Sequence, residues 1–265
     1  MHDIQNEVDE RGIGIDQVGI AGLRYPIRFD DGSLQQEGIA EVAVTVRLQH
    51  DRRGTHMSRL IALVHDHLRL FDPCQLPAIL KAGADLLDAP AITVSVRMPI
   101  STMVAAPATG AESWLVHDVD IEAQLDGSAV SVATTVATEV TSLCPCSKAI
   151  SDYGAHNQRS RLALTVLGGG DEIYPLTVSD MVSMLVSSGS APVVPLVKRP
   201  DERILTMQAF DRPVFVEDIA RDISLRCRQR ALPHRVYIRN LESIHSHDAV
   251  ASLQWGSWPV GSRTH

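Results

Sequence analysis

A short stretch near the middle of the chain collects side chains that can bind metals or transfer protons. Residues 141–160 read TSLCPCSKAISDYGAHNQRS, so Cys144, Cys146 and His156 stand close together in sequence. Thiolates and imidazoles are ligands for zinc and other borderline metals, and a thiolate is also a nucleophile. The two cysteines flank Pro145 too closely to form a comfortable disulfide. We therefore interpret this stretch as a metal or nucleophile site, the alternative being two buried thiols beside a solvated loop.

The remaining cysteines show no such context. The chain has four cysteines in 265 residues. Cys227 falls on an apolar helical stripe and Cys74 in a turn next to proline, where free cysteines usually pack as small hydrophobic residues. Four thiols without a secretory signal indicate a reducing compartment rather than a disulfide scaffold.

Two polar clusters in the last third of the chain could add ligands. One is Lys198-Arg-Pro-Asp-Glu202 and the other is Glu242-Ser-Ile-His245-Ser-His247. Taken alone, each is equally or better explained as a solvated surface segment. Glu217 follows an apolar run and opens a predicted helix, where an acidic residue is favoured by the helix dipole. It could also accept two N–H donors from a heterocycle such as guanine.

Composition excludes several classes of protein. The formal net charge is −8 and the pI is about 5.7, which argues against general nucleic-acid binding. The sequence contains no uncharged apolar run of about 18 residues, so we expect no membrane span. The N-terminal residues are polar and acidic, without the apolar core of a signal peptide. We expect a cytoplasmic protein.

Periodic apolar residues predict the elements that must position these side chains. Val42, Val44 and Val46 alternate along one strand face, and Asp126-Gly127 separates two further alternating runs in the manner of a hairpin. Helical spacing predicts helices over 77–87 and 217–230, and a third that Ser179 caps. Residues 99–113 and 187–203 are predicted loops.

The order of these elements predicts an α+β protein with two similar units. The second half is predicted to run strand, strand, helix, helix, strand, strand, and the first half is compatible with the same order. We place the N-terminal unit at residues 14–126 and the C-terminal unit, with most of the active site, at residues 127–256. Residues 1–13 and 257–265 are expected to be loose termini.

Four blocks of the sequence together resemble the GTP cyclohydrolase IB family. The most specific is LCPCSK followed by GAHNQRS, over residues 143–160. The others are IDQVGIAGLRYPI at 15–27, KRPDE at 198–202 with PVFVED at 213–218, and ESIH at 242–245. They occur in the family's order and span nearly the whole chain.

The resemblance implies a fold, an assembly and a reaction. The fold would be a tunnelling fold (T-fold), with two ββααββ-like units per subunit, antiparallel sheets and helices on one face. Subunits would form a homotetramer with active sites at their interfaces. The reaction would be the metal-dependent opening of the imidazole ring of GTP, which gives 7,8-dihydroneopterin triphosphate and formate as the first step of folate and pterin biosynthesis.

The resemblance also implies roles for individual residues. Cys144, Glu202 and His245 match metal-site positions, with His156 in the same site as a ligand or an acid–base group. The metal would be zinc or manganese, with iron as a third option. Glu217 matches the carboxylate that binds the guanine edge, and Glu242 matches a further active-site acid. Basic residues beside these motifs would hold the triphosphate, and the candidates are Lys148, Arg159 and Arg199, with Arg161 and Lys198 nearby.

Two other functions remain open from the sequence. One is a nitrile reductase of the queuosine type with the same fold, in which a cysteine forms a thioimide and NADPH reduces it. The other is a non-catalytic metal-binding or purine-binding module, in which four protein ligands would close the metal site.

Overall fold

The computed structural model describes residue 5 and residues 7–258, and within that part the chain forms ten strands and six α-helices. The strands are β1 (Ile15–Asp30), β2 (Gln35–Leu48), β3 (Leu70–Phe71), β4 (Ala91–Ala105), β5 (Glu112–Asp126), β6 (Ala129–Leu143), β7 (Asn157–Gly169), β8 (Ala191–Pro192), β9 (His234–Asn240) and β10 (Ala249–Trp255). The helices are α1 (Met57–His67), α2 (Leu76–Leu87), α3 (Pro145–Ile150), α4 (Val178–Val186), α5 (Arg199–Asp211) and α6 (Val216–Gln229). A 3₁₀ turn, Pro73–Gln75, precedes α2.

The ten strands belong to one sheet. The strand order is β10-β9-β7-β6-β5-β4-β2-β1-β3, and β8 pairs separately with β6. The pairs β1–β2, β2–β4, β7–β9 and β9–β10 are antiparallel, whereas β3 runs parallel to β1. Strand alternation matches the sequence pattern, because Val42, Val44 and Val46 are all buried.

This architecture shows that the predicted fold class is wrong. We expected a tunnelling fold of two ββααββ-like units with helices on one face, but the strands form a single ten-stranded sheet. The helices do not follow the predicted pairing either: β3 separates α1 from α2, and β8 and α5 lie between α4 and α6, the two helices predicted near Ser179 and at 217–230. The predicted boundary at 126/127 falls in the turn between β5 and β6. These two strands are neighbours in the sheet, so no break in the hydrogen-bonded ladder occurs there.

The chain divides into two compact units that are each built from several segments. Unit 1 comprises residues 1–99, 120–134 and 167–175, and unit 2 comprises residues 100–119, 135–166 and 176–265. These are not the contiguous ranges 14–126 and 127–256, because each of the strands β4 to β7 contributes residues to both units. An internal duplication of the chain stays a prediction.

Part of the predicted loose termini can be compared with the structure. Residues 1–4, 6 and 259–265 lie outside the described residues. Val8 forms a β-bridge with Arg52, and the Asp9 backbone N–H donates to the Asp51 carbonyl. The segment around Val8 and Asp9 is therefore paired with the chain after β2.

Unit 1 buries an aromatic and aliphatic core between β1, β3 and the first two helices. Phe29 and Phe71 lie with ring centroids 6.0 Å apart, and both are fully buried. Gly83 of α2 faces Leu63 of α1, and a Cβ added there would lie 2.7 Å from a Leu63 methyl carbon. A methyl group at position 83 would therefore force the Leu63 and Ile92 side chains to shift.

Unit 2 contains every residue predicted to act in the site. Its helix α6 buries Ile219, Ile223 and Cys227, and burial raises the pKa of the Cys227 thiol to about 11. That thiol is a packing group, as its position on the helix predicts. Within the described residues, no helix is long and apolar enough to cross a membrane. The cytoplasmic location stays a prediction.

Candidate active site

The site is built where β6 ends and the short helix α3 begins. Leu143 is the last residue of β6 and is buried, and the next residue, Cys144, caps α3. The Cys144 Sγ accepts a hydrogen bond from the Ser147 backbone N–H at 3.4 Å. Pro145 occupies the first helical position, where a missing N–H costs nothing. Cys144 is half-buried and Cys146 is exposed, so Cys144 is the thiol whose position the fold fixes.

His156 is brought to Cys144 by backbone hydrogen bonds. The Cys144 N–H donates to the His156 carbonyl at 3.1 Å, and the His156 N–H donates to Ser147 Oγ at 3.3 Å. The two ends of the loop between β6 and β7 therefore meet. The backbone at Cys144 is therefore hydrogen-bonded to the backbone at His156.

The His156 imidazole lies at the end of a buried polar chain. Its Nδ1 is 3.0 Å from Gln158 Oε1 and 3.9 Å from a carboxylate oxygen of Glu242. The Gln158 Nε2 donates to Ser142 Oγ, which also accepts a hydrogen bond from Ser160. With Gln158 Oε1 as the acceptor, Nδ1 carries the proton and Nε2 keeps its lone pair, a tautomer assigned from this network.

Residues after β9 complete this cluster. The Leu241 N–H donates to the Arg159 carbonyl at 2.9 Å, which ties the segment that follows β9 to β7. The His245 ring lies edge-on to His156 with centroids 6.2 Å apart, and it stacks on His247 at 5.2 Å. The structure therefore brings His156, Glu242 and His245 together, and their roles in the site stay predictions.

Two helices lie against the same loop. Leu143 and Ala191 pack against Ala209 of α5, and Ala155 and Leu205 join that cluster. The Val214 N–H, just before α6, donates to the Leu143 carbonyl at 3.1 Å. The residues that flank Cys144 and His156 thus contact the later turns of α5 and the start of α6, the helices that carry Glu202 and Glu217.

Glu202 and Glu217 are both exposed first-turn residues of their helices. Within residue 5 and residues 7–258, neither side chain forms a hydrogen bond or an ion pair. Both residues lie on helices that pack near Cys144. Within the described residues, neither side chain forms a hydrogen bond or an ion pair with Cys144 or His156. Their predicted roles as metal ligand and guanine-binding carboxylate stay predictions.

The basic residues predicted to hold the triphosphate differ in their surroundings. The Lys148 Nζ lies 4.2 Å from the centre of the Phe210 ring and also donates to the Phe210 carbonyl. Arg159 forms an ion pair with Glu139 at 3.2 Å, and Arg161 binds the same carboxylate. Arg199 is exposed at the start of α5 and, within the described ranges, makes no hydrogen bond or ion pair.

The donor set can be tested for a metal. A thiol, two imidazoles and a carboxylate (Cys144, His156, His245 and Glu202) have the chemistry that zinc and other borderline divalent ions bind. In the part of the chain that the structure describes, however, no three such side chains come close enough together to hold an ion. The donor types fit the predicted metal, whereas the single chain, over its described residues, does not bring three of the donors together.

A cavity of about 860 Å³ lies elsewhere, in unit 1, between the β1–β2 pair and the end of α1. Its lining includes Arg28, Glu37, His65 and Arg69, and none of the predicted site residues lines it. Its walls are exposed side chains of mixed charge. We therefore place the candidate site by side-chain chemistry, at Cys144, and not by cavity size.

Sequence reasoning overlooked the supporting residues of the site. Gln158 and Ser142 are buried and connect His156 to the sheet interior, yet only the catalytic side chains were singled out. A signal was present: Gln158 and Ser160 fall on the same alternating face of β7 as Leu162 and Leu164. A polar residue at a position whose alternation predicts burial needs a hydrogen-bond partner.

Comparison with known proteins decides the family. A family model described as type I GTP cyclohydrolase FolE2 matches residues 1–251. The chain belongs to the type I GTP cyclohydrolase FolE2 family. It is 38% identical over 256 residues to the GTP cyclohydrolase FolE2 of Fervidobacterium nodosum, covering 96% of this chain and 97% of that one. It is 40% identical over 260 residues to the GTP cyclohydrolase FolE2 of Methylococcus capsulatus, covering 95% and 94%.

The likeness to solved structures concerns the fold. The uricase from Arthrobacter globiformis superposes with a TM-score of 0.53 over 94% of this chain and 96% of that chain, at 10% sequence identity. At that identity the two proteins share an architecture and nothing is implied about chemistry. The FolE2 family membership confirms the resemblance drawn from the four sequence blocks at the level of a type I GTP cyclohydrolase.

Proposed function

We propose that this chain is a GTP cyclohydrolase I that opens the imidazole ring of GTP by hydrolysis. The products are 7,8-dihydroneopterin triphosphate and formate, and the reaction begins folate biosynthesis. The observation that carries this proposal is membership of the FolE2 family over residues 1–251. It favours the cyclohydrolase over the nitrile reductase and the non-catalytic binding module, which the sequence alone left open.

A divalent metal is the second part of the proposal. Cys144, Glu202 and His245 would hold it, with His156 as a fourth ligand or as an acid–base group beside it. The ion would be zinc or manganese, with iron as the third option. When bound, such an ion lowers the pKa of its water towards neutrality and so supplies the nucleophile for ring opening.

The residues around His156 suit proton transfer in this reaction. Addition of water at C8 of the guanine and loss of that carbon as formate require proton transfers at the ring nitrogens. With Nδ1 donating to Gln158, the free lone pair of His156 is on Nε2, the atom that would accept a proton or bind the metal. Glu242 lies 3.9 Å from Nδ1 and can compensate a positive charge on the ring.

Substrate contacts and assembly complete the proposal. Glu217 would accept the N–H donors of the guanine edge, and Arg199, Arg159 and Lys148 would face the triphosphate. The exposed positions of Glu202 and Glu217 are compatible with an active site that a second subunit completes, in a homotetramer. The fit of Arg side chains to phosphate oxygens supports the choice of cations.

The test combines two products with a matched pair of cysteine variants. Metal-reconstituted protein is incubated with GTP, and formate and the pterin are measured together. We expect formate and the pterin in equal amounts from the wild type. Cys74→Ala should give the same yield of both, because Cys74 is an exposed thiol of unit 1. Cys144→Ala should lose turnover and bind metal more weakly.

Two outcomes would count against the proposal. No formate from wild-type protein with full metal content would remove the cyclohydrolase activity and favour a binding module. Full turnover and full metal content in Cys144→Ala would remove the assignment of Cys144.

A further inference from the structure

A fully buried carboxylate lies beside the proposed metal ligand Glu202. Asp201 has no exposed surface, although it occupies the third position of α5 between exposed residues. Its Oδ1 accepts the backbone N–H groups of Ala108 and Thr109, each at 2.8 Å. Its Oδ2 accepts the Thr109 hydroxyl at 2.8 Å and the Lys198 N–H at 3.0 Å. Four donors therefore bind one side chain, which is the full capacity of a carboxylate.

These hydrogen bonds join two elements that are far apart in sequence. Ala108 and Thr109 belong to the turn between β4 and β5, which closes on itself through hydrogen bonds between Ala106 and Ala111 and from Gly110 to Ala106. Gly110 has a φ of +64°, so the turn uses a backbone conformation that favours glycine. Lys198 is the residue that precedes α5. Asp201 thus fastens the β4–β5 turn to the first turn of the helix.

The charge state of Asp201 agrees with that role. Burial raises its pKa, but the hydrogen bonds from Lys198, Thr109 and Ala108 together outweigh burial and lower the pKa to about 2. The side chain is therefore ionised at neutral pH, and its charge-assisted hydrogen bonds are stronger than neutral ones.

The first turn of α5, which Asp201 holds, carries two of the proposed functional side chains. Arg199 and Glu202 lie on either side of Asp201 in sequence and are exposed, and within the described residues neither side chain forms a hydrogen bond or an ion pair that would hold the helix start. The α5 contacts with Leu143 and Ala155 come from Leu205 and Ala209, further along the helix. The position of the first turn then depends on the hydrogen bonds of Asp201.

We propose that Asp201 is a positioning residue of the active site, which holds Arg199 and Glu202 in place by binding the β4–β5 turn. This inference rests on the proposed function. The β4–β5 turn, residues 106–111, is by the same argument a supporting part of the site, although it carries none of the predicted catalytic side chains.

A matched carboxylate separates positioning from simple stabilisation. Asp31 in unit 1 is also buried, and it also accepts hydrogen bonds, among them those from the Ser33 N–H and hydroxyl, the Leu34 N–H and the Tyr174 hydroxyl. Asp31→Asn and Asp201→Asn both remove the charge and replace one acceptor oxygen by an NH₂ donor, which at position 201 must face backbone N–H groups whichever way the amide turns. Both variants should lower the melting temperature.

The two variants should differ in catalysis. We expect Asp201→Asn to lower kcat/KM for GTP by about 100-fold, since displacements of about 1 Å in positioning groups cost that much. We expect it also to raise the KM and reduce the metal content of the protein. Asp31→Asn should keep kcat, KM and metal content within about twofold of wild type, because no reacting group depends on it.

A second pair of variants keeps the inference testable if Asp201→Asn does not fold. Thr109→Val removes one donor to Asp201 and keeps the side-chain shape, whereas Thr109→Ser keeps the donor. Activity should fall severalfold in the first and be retained in the second.

The inference is overturned if Asp201→Asn, or Thr109→Val in its place, lowers the melting temperature but leaves kcat, KM and metal content unchanged, as we expect for Asp31→Asn. A wild-type protein that forms no formate from GTP contradicts the proposed function instead. The two failures are therefore distinguishable.

Discussion

At the residue scale, three basic side chains near the site differ in the partners that already bind them. Lys148 lies against the Phe210 ring and carbonyl, and Arg159 shares Glu139 with Arg161. A triphosphate would have to replace those contacts. Arg199 has no such partner in the described residues, so a phosphate can bind there without breaking an existing ion pair. Arg199 is therefore the side chain from which we expect the largest contribution to GTP binding.

We expect Arg199→Ala to raise the KM for GTP by about tenfold or more, because a hydrogen bond to a charged group contributes about 1.5–3 kcal/mol. Arg69→Ala is the control: Arg69 is also exposed, and it belongs to unit 1, which contains none of the proposed site residues. Steady-state kinetics with GTP measure both. An unchanged KM in Arg199→Ala, with a raised KM in Arg159→Ala, would transfer the role to Arg159.

At the element scale, three neighbouring strands hold a histidine in the sheet interior. His117 of β5 is buried, with Nε2 at 2.8 Å from Thr102 Oγ1 of β4 and Nδ1 at 2.8 Å from Thr138 Oγ1 of β6. Burial lowers the pKa of His117, an effect that the nearby Asp118 only partly offsets. The ring is therefore neutral in the folded protein at neutral pH, and it links the strands by hydrogen bonds to hydroxyl groups that can donate or accept.

A pH dependence of stability follows. The folded pKa lies below the unfolded value of about 6.5, so the unfolded chain binds the proton first as the pH falls. The stability linked to neutral His117 is present at high pH and is lost as the pH falls below about 6.5. His234 is also buried with a lowered pKa and should act in the same direction.

His117→Gln tests this linkage. We expect a lower melting temperature at about pH 7.5 and a smaller further loss between about pH 7.5 and 5.5 than in wild type, because one of the two linked histidines is gone. His50→Gln, at an exposed position, should keep the wild-type slope. Calorimetry at several pH values measures the slopes, and an unchanged slope in His117→Gln would contradict the assignment.

At the scale of the whole molecule, apolar side chains of unit 2 are exposed near the candidate site. Ile150 is 85% exposed and Tyr153 is 90% exposed, both between Cys144 and His156, and Ile244 is 64% exposed beside His245. Clustered exposed apolar side chains often mark protein contacts. They support the proposal that a second subunit covers this region and completes the site.

We therefore expect a particle with four times the 28.9 kDa mass of the chain, and a specific activity that falls when dilution dissociates it. Native mass spectrometry and activity at matched protein concentrations measure both quantities. A monomer with full activity at every concentration would rule out a shared active site.

The sequence by itself determined the family and several elements. The Cys144–His156 stretch, together with the blocks around Glu202 and Glu242, was enough for the family, because polar side chains in that order and spacing are not required by the packing of a sheet. Strand alternation and the Asp126-Gly127 turn located the β5–β6 hairpin, since Gly127 takes a φ of +59° there. Strong apolar stripes predicted α2 and α6 to within about one residue at each end.

Where local signals were weak, the sequence predicted the wrong element. The start of α5 falls in the range 187–203 predicted as a loop, because this helix buries few apolar residues and is held by Asp201 and by Leu205 and Ala209. Residues 99–113 were predicted as a loop and instead form the ends of β4 and β5 around a tight turn. The helix expected to be capped by Ser179 is capped by Thr177, which accepts from the Asp180 N–H.

Only the tertiary structure decided the strand order and the contacts of the buried residues that support the site. Period-two alternation says which face of a strand is buried but not which strand is its neighbour, so two separate units and one ten-stranded sheet were equally compatible with it. The same limit hid the contact of Asp201 with Ala108 and Thr109, which lie 93 and 92 residues away in sequence. Cys144 could be recognised from its neighbours along the chain, whereas the residues that hold its site together are neighbours only in the folded protein.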